Sequence, residues 1–122
     1  MEVLFQKYTA AFDSLDATAI ARLYTLPCAV SDGDGPNVFS TVEALTEKFE
    51  SNCQMMRAMG YASSDFNILN TTNMGDLACE VQVGWRVHTQ SSVIEFRALY
   101  ICHLIESDWF IFNANVYQGS FE

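Results

Sequence analysis

Asp32 opens the run Asp32-Gly33-Asp34-Gly35-Pro36, and Tyr8, Tyr24 and Tyr100 sit among apolar residues at periodic positions. A carboxylate can serve as an acid or base where burial retunes it, and an inward phenol carries a hydroxyl that must find a partner. Each has a plain structural role as well. Aspartate is favoured in turns because its side chain bonds its own backbone, and a tyrosine can simply pack in a core. Asp32 is therefore read as turn residue or as functional acid, and each tyrosine as core or as site. Asp32, Asp34 and Glu43 trace the outline of a calcium loop. Pro36 and Asn37 stand where that loop needs an oxygen donor and a glycine, so no calcium site is predicted.

Other chemistry has less support. Cys28, Cys53, Cys79 and Cys102 are widely spaced within apolar patterns, with no CxxC or metal-ligand spacing, and are read as reduced thiols acting as small core hydrophobes. His88 and His103 fall on the outer side of their strands and lack a metal-like partner spacing. There is no G-x-S-x-G, Walker or G-x-G-x-x-G motif. No metal and no cofactor is expected.

The elements that must position these groups follow from periodicity. Leu4, Tyr8, Ala11, Phe12 and Leu15 recur at the 3.6-residue period, predicting a helix over 2–15 whose Tyr8 and Phe12 face inward. Asp16 can cap a short second helix with the stripe Ile20, Leu23 and Tyr24, ending before Pro27. Strands are expected over 28–31 and 37–40, around the Asp-Gly turn. Ser40 and Glu43 form a capping-box pair at the head of a long helix, with Leu45, Phe49, Asn52, Cys53 and Met56 on one face and Gly60 as its left-handed stop.

A strand over 61–70 and a polar turn over 71–76 precede three long strand patterns. In 77–89 the odd positions Leu77, Cys79, Val81, Val83, Trp85 and Val87 face the core. In 93–105 the even positions from Ile94 through Phe96, Ala98, Tyr100 and Cys102 to Leu104 do so. In 109–117 the inward set is Phe110, Phe112, Ala114 and Val116. Outward Leu99, Ile101, Ile105 and Ile111 then form an apolar patch rimmed by Arg86, Glu95 and Arg97, which predicts a homodimer packed sheet to sheet.

Size and charge bound the rest. The 122 residues suit one domain over 1–122, able to bury roughly two-thirds of its unfolded surface. Fifteen acidic residues against six basic ones give a net charge of -9, and the scattered cations would not hold a phosphate backbone, so nucleic acid is not an expected partner. No run approaches the length of a membrane span, and the N-terminus lacks the pattern of a secretory signal. A soluble, cytoplasmic protein is expected.

Two helices, a hairpin, a long helix and a strand meander form an α+β order, with three helices in the N-terminal half packed on one face of a curved mixed or antiparallel sheet. This layout resembles the nuclear transport factor 2-like superfamily along essentially the whole chain. The resemblance implies a cone-shaped, barrel-like fold with a pocket between the long helix and the sheet. The segment QKYTAAFDSLDATAIARLYTLPCAVSD, residues 6–32, is further similar to the ketosteroid isomerase and polyketide cyclase-like branch. That similarity places a pocket tyrosine at Tyr8 and a catalytic aspartate at Asp32. It implies proton abstraction next to a carbonyl, with Asp32 as base and the Tyr8 hydroxyl on the enolate oxygen. The isomerases add a protonated acid in the region of Tyr100 to Cys102. This chain has none there, and Tyr100 is the available donor.

The expected site is therefore Asp32, Tyr8 and Tyr100, in a pocket walled by Phe12, Tyr24, Phe49, Met56, Met59, Trp85, Phe96 and Phe112. Three functions are compatible with it. They are binding of a small apolar or amphipathic molecule, an isomerase or cyclase-like reaction, and a non-catalytic dimeric interaction module.

Overall fold

The computed structural model describes residues 1–122, as α1 (Glu2–Asp13), α2 (Ala17–Ala21), β1 (Tyr24–Asp32), β2 (Gly35–Phe39), α3 (Val42–Ala58), β3 (Tyr61–Asn73), β4 (Ala78–Thr89), β5 (Val93–Ile105) and β6 (Asp108–Tyr117). The strands form one sheet in the order β2-β1-β6-β5-β4-β3, antiparallel throughout except for the parallel pair β1 and β6. The sheet has two free edges, β2 and β3, so the cone is open rather than a closed barrel. No helix is long and apolar enough to cross a membrane.

α1 buries the expected Leu4, Tyr8, Ala11 and Phe12, and with them Phe5, which is fully enclosed. Phe5 sits at the centre of an aromatic core, its ring centroid 5.0 Å from that of Tyr100, 6.2 Å from Phe66 and 6.4 Å from Trp85. Asp16 caps α2 as expected, accepting the Ala19 N–H at 3.1 Å. The helix ends at Ala21, however, and Tyr24 belongs to β1, where the pairing with β6 breaks register between Tyr24 and Ala29.

The cap of α3 is Thr41, not Ser40. Its hydroxyl accepts the Ala44 N–H at 3.2 Å, which shifts the frame by one residue and leaves Glu43 outside a capping box. Gly60 ends the helix with φ +75, a left-handed backbone that an L side chain resists, and its carbonyl accepts the Gln90 N–H at 3.0 Å.

The strands from β3 to β6 depart from the expected pattern at the β3–β4 turn and in β6, besides two register shifts between β3 and β4. β3 runs on to Asn73, so the polar turn is shorter than expected and Leu77, read as an inward strand residue, lies exposed in it. In β6 the register with β5 slips between the pairs Ile101–Asn113 and Cys102–Ile111, leaving Phe112 as a bulge residue. The extra residue reverses the facing on one side of it. Ile111, expected outside, is completely buried, while Phe112, expected inside, is 41% exposed and sets its ring edge-on to that of His103. Beyond the bulge Ala114 is buried, as the alternation requires.

Candidate functional site

α1, α3 and the inner face of the sheet enclose a cavity of about 210 Å³. Its wall is mostly apolar, because the inward positions of β1, β4, β5 and β6 and the apolar faces of two helices converge on it. Of the residues expected from sequence, Tyr8, Phe12, Tyr24, Asp32, Phe49, Met56, Trp85, Phe96 and Tyr100 line this one space. Two do not. Met59 is the C-terminal cap of α3 and is 44% exposed, one turn past the wall, and Phe112 has been turned outward by the bulge in β6.

The polar groups form two sets. Deep in the core, the Tyr8 and Tyr24 hydroxyls lie 2.8 Å apart and share one hydrogen bond, while the Trp85 indole N–H donates to the Tyr100 hydroxyl at 2.9 Å. The three tyrosines are buried and packed ring to ring, with centroids 6.2 Å apart for Tyr8 and Tyr24 and 6.1 Å for Tyr8 and Tyr100. Burial pushes all three phenols well above their ordinary range, and each feels the charge that a neighbouring tyrosinate would carry. They are neutral donors.

The second set lies at the rim, where the β1–β2 turn meets α3. Asp32 Oδ1 accepts the Asp34 N–H at 3.0 Å, the side-chain-to-backbone bond typical of a turn. Its other oxygen accepts from Lys48 Nζ at 2.8 Å, and Lys48 also donates to Asp34 Oδ2 at 2.6 Å. The Lys48 side chain is only 7% exposed and that of Asp32 17%. Burial works against the Lys48 charge, but its bonds to both aspartates outweigh that and hold its proton above the ordinary lysine range. Asp34 is held below the usual carboxylate range by Lys48.

Lys48 joins the site in addition to the residues expected from sequence. The signal was present, since Lys48 stands three residues after Leu45 and four before Asn52, which puts it on the buried side of α3. Ala114 and Val116, inward positions of β6, also line the cavity. No group of three or more His, Cys, Asp or Glu side chains is placed to hold a metal ion.

As it stands, the arrangement can present neutral hydroxyl donors to a guest in an apolar enclosure. The Asp32 carboxylate faces the same space with both oxygens already engaged by protein donors.

Several solved structures share this fold. A domain of unknown function with a cystatin-like fold from Nostoc punctiforme PCC 73102 matches with a TM-score of 0.79 at 10% identity, over 96% of this chain and 74% of that one. An NTF-2 like protein of unknown function from Shewanella oneidensis MR-1 matches at 0.77 and 14% identity, over 94% and 93% of the two chains. A ketosteroid isomerase-like protein from Erwinia carotovora atroseptica SCRI1043 matches at 0.73 and 14% identity, over 94% and 90%. No curated protein matches the sequence. At such identities structural likeness speaks for the fold alone. Residues 1–118 match the family described as NTF2-like protein (DUF6841), and the chain belongs to that NTF2-like family.

Proposed function

We propose that this protein binds a small apolar or amphipathic molecule bearing a hydrogen-bond acceptor, with the acceptor held by the tyrosine cluster. The observation that carries this reading is a surplus of donors. Trp85, Tyr100, Tyr8 and Tyr24 bring four polar hydrogens, and the only acceptors among them are three phenolic oxygens. The Tyr8–Tyr24 bond and the Trp85–Tyr100 bond use two of these hydrogens, so two O–H groups have no acceptor within the cluster, in a buried, apolar place. A donor left there costs about 1 to 3 kcal/mol, which a carbonyl or similar oxygen in the cavity would recover.

Native mass spectrometry of the protein taken from its own host tests the reading directly. A retained small molecule with an acceptor oxygen is the expected outcome. A guest without any acceptor would refute the role given to the tyrosines.

A second reading, an isomerase or cyclase-like enzyme, is favoured by Asp32 and Tyr8 lining one cavity. It makes Asp32 the base and Tyr8 the oxyanion donor. The Lys48 bond weighs against it, because both Asp32 oxygens are already engaged by protein donors and the carboxylate would have to leave Lys48 to reach a substrate proton. Turnover of any substrate that survives Asp32→Asn would exclude it.

The proposal includes a homodimer through the outer sheet face, where Phe112 adds to Leu99, Ile101 and Ile105. It also includes cytoplasmic residence, which suits four buried, unbridged thiols, Cys79 and Cys102 among them although they are register partners on β4 and β5.

A further inference from the structure

The segment after β6, residues 118–122, does not trail into solvent but crosses the outer face of the sheet. Arg97 Nε donates to the Ser120 carbonyl at 2.9 Å, and Arg97 Nη2 to Ser120 Oγ at 3.3 Å and to the Glu122 carbonyl at 2.9 Å. The Phe121 N–H donates to Glu95 Oε1 at 2.9 Å, and Asn67 Nδ2 donates to the Phe121 carbonyl at 3.1 Å. The Arg86 guanidinium lies 4.1 Å from the centre of the Phe121 ring.

Gly84 makes the passage possible. It lies mid-strand in β4, where glycine weakens a sheet and often marks close approach of another backbone. A Cβ there would overlap the Phe121 carbonyl.

Asn67, Gly84 and Arg97 are register partners on β3, β4 and β5, and Arg97 pairs with Tyr117, the last residue of β6. The segment therefore crosses three strands at one level and is bonded to β3 and β5 on either side of β4. The next register row, on the inner face, is Phe66, Trp85 and Phe96, and Trp85 and Phe96 are cavity wall. Adjacent strands are free to vary in twist over a range of tens of degrees, and a transverse strap tied to the outer strands of a trio limits that freedom.

We infer that residues 118–122 are a built-in ligand of the outer sheet face, whose seating sets the curvature of β3–β5 and thereby the position of Trp85 in the cavity wall. The seat reads peptide N–H and carbonyl groups together with one aromatic ring, through the Asn67 amide and the charged side chains of Arg86, Glu95 and Arg97, which lie half-buried or exposed at the outer surface of the sheet. The strap can therefore lift without disturbing the core.

The test uses the full chain with Gly84→Val, which drives a side chain into the Phe121 carbonyl, and with Phe121→Ala and Arg97→Gln, which remove only surface contacts. Amide exchange at residue 121 reports release, and the Trp85 indole N–H resonance reports the wall, with Trp109 as internal reference. Release is expected to speed exchange at least about tenfold in all three variants and to move the Trp85 resonance while Trp109 stays in place. Release with Trp85 unmoved overturns the inference, as does unchanged exchange at residue 121. Should Gly84→Val fail to fold, the two surface variants decide.

Discussion

Lys48 Nζ lies 2.8 Å from Asp32 Oδ2 and 2.6 Å from Asp34 Oδ2, so one ammonium from α3 clasps both carboxylates of the β1–β2 turn at the cavity rim. This pair gives Asp32 a definite job. It ties a hairpin turn to the long helix and keeps the rim in place, a job that needs the carboxylate charged.

Lys48→Met is expected to destabilise the fold at neutral pH by about 2 kcal/mol, the scale of a charged hydrogen bond lost at the Asp32 carboxylate. Because the Lys48 pKa is raised on folding, its contribution is present in full below the unfolded value of about 10.4 and is lost as pH rises through the higher folded value. Denaturant titrations of wild type and variant should thus differ at pH 7 and converge in strong alkali. A constant difference across that range would show that the ammonium charge is not what matters.

The buried phenols set a second alkaline limit. Tyr8, Tyr24 and Tyr100 are raised above the ordinary value of about 10, so their unfolded forms lose protons first and stability falls as pH climbs from there toward the folded values. The thiols of Cys28 and Cys102, pushed by burial to about 11 and about 12, act in the same direction. Tyrosinate absorbance from these three residues should appear together with loss of the near-ultraviolet dichroism. Its appearance while tertiary signal persists would mean that water already reaches the cluster.

Thr41→Ala should cost about 1 kcal/mol through loss of the cap on α3, whereas Ser40→Ala should stay within about 0.5 kcal/mol. Chemical denaturation of the two variants distinguishes the one-residue difference in frame. Equal costs would restore Ser40 to the capping role.

Phe112→Asp should weaken self-association at least about tenfold while leaving the core untouched, since the ring is on the outer face. Sedimentation equilibrium is the measurement. A wild-type protein that is monomeric at micromolar concentration would remove the dimer from the proposal.

The sequence carried the layout well because apolar periodicity is a direct imprint of burial. Tyr8, Phe12 and Phe49 at helical spacing, and Val81, Val83 and Trp85 at strand spacing, all turned inward together. It misled at Phe112 and Ile111, where a single inserted residue reverses the facing and alternation alone carries no mark of the insertion. Ser40 competed with an equally good neighbour, Thr41, and only the helix frame decides between them. Lys48 was hidden by its type, for a lysine on a helix is ordinarily read as solvated. Its spacing from Leu45 and Asn52 puts it on the buried side of α3, and the Asp32–Asp34 turn folded against it supplies the partners that hold it there. Gly84 shows its purpose only once the segment after β6 is laid across the sheet.

The central claim is that a tyrosine hydroxyl donates to an acceptor inside the cavity. Infrared difference spectroscopy of carbonyl-labelled acetophenone, titrated into the protein, tests it most directly, because a carbonyl stretch moves to lower frequency when it accepts a hydrogen bond. Saturable binding with the bound carbonyl shifted below its position in hexane is the predicted result. A bound carbonyl that absorbs where it does in hexane, or no saturable binding at all, would contradict the account.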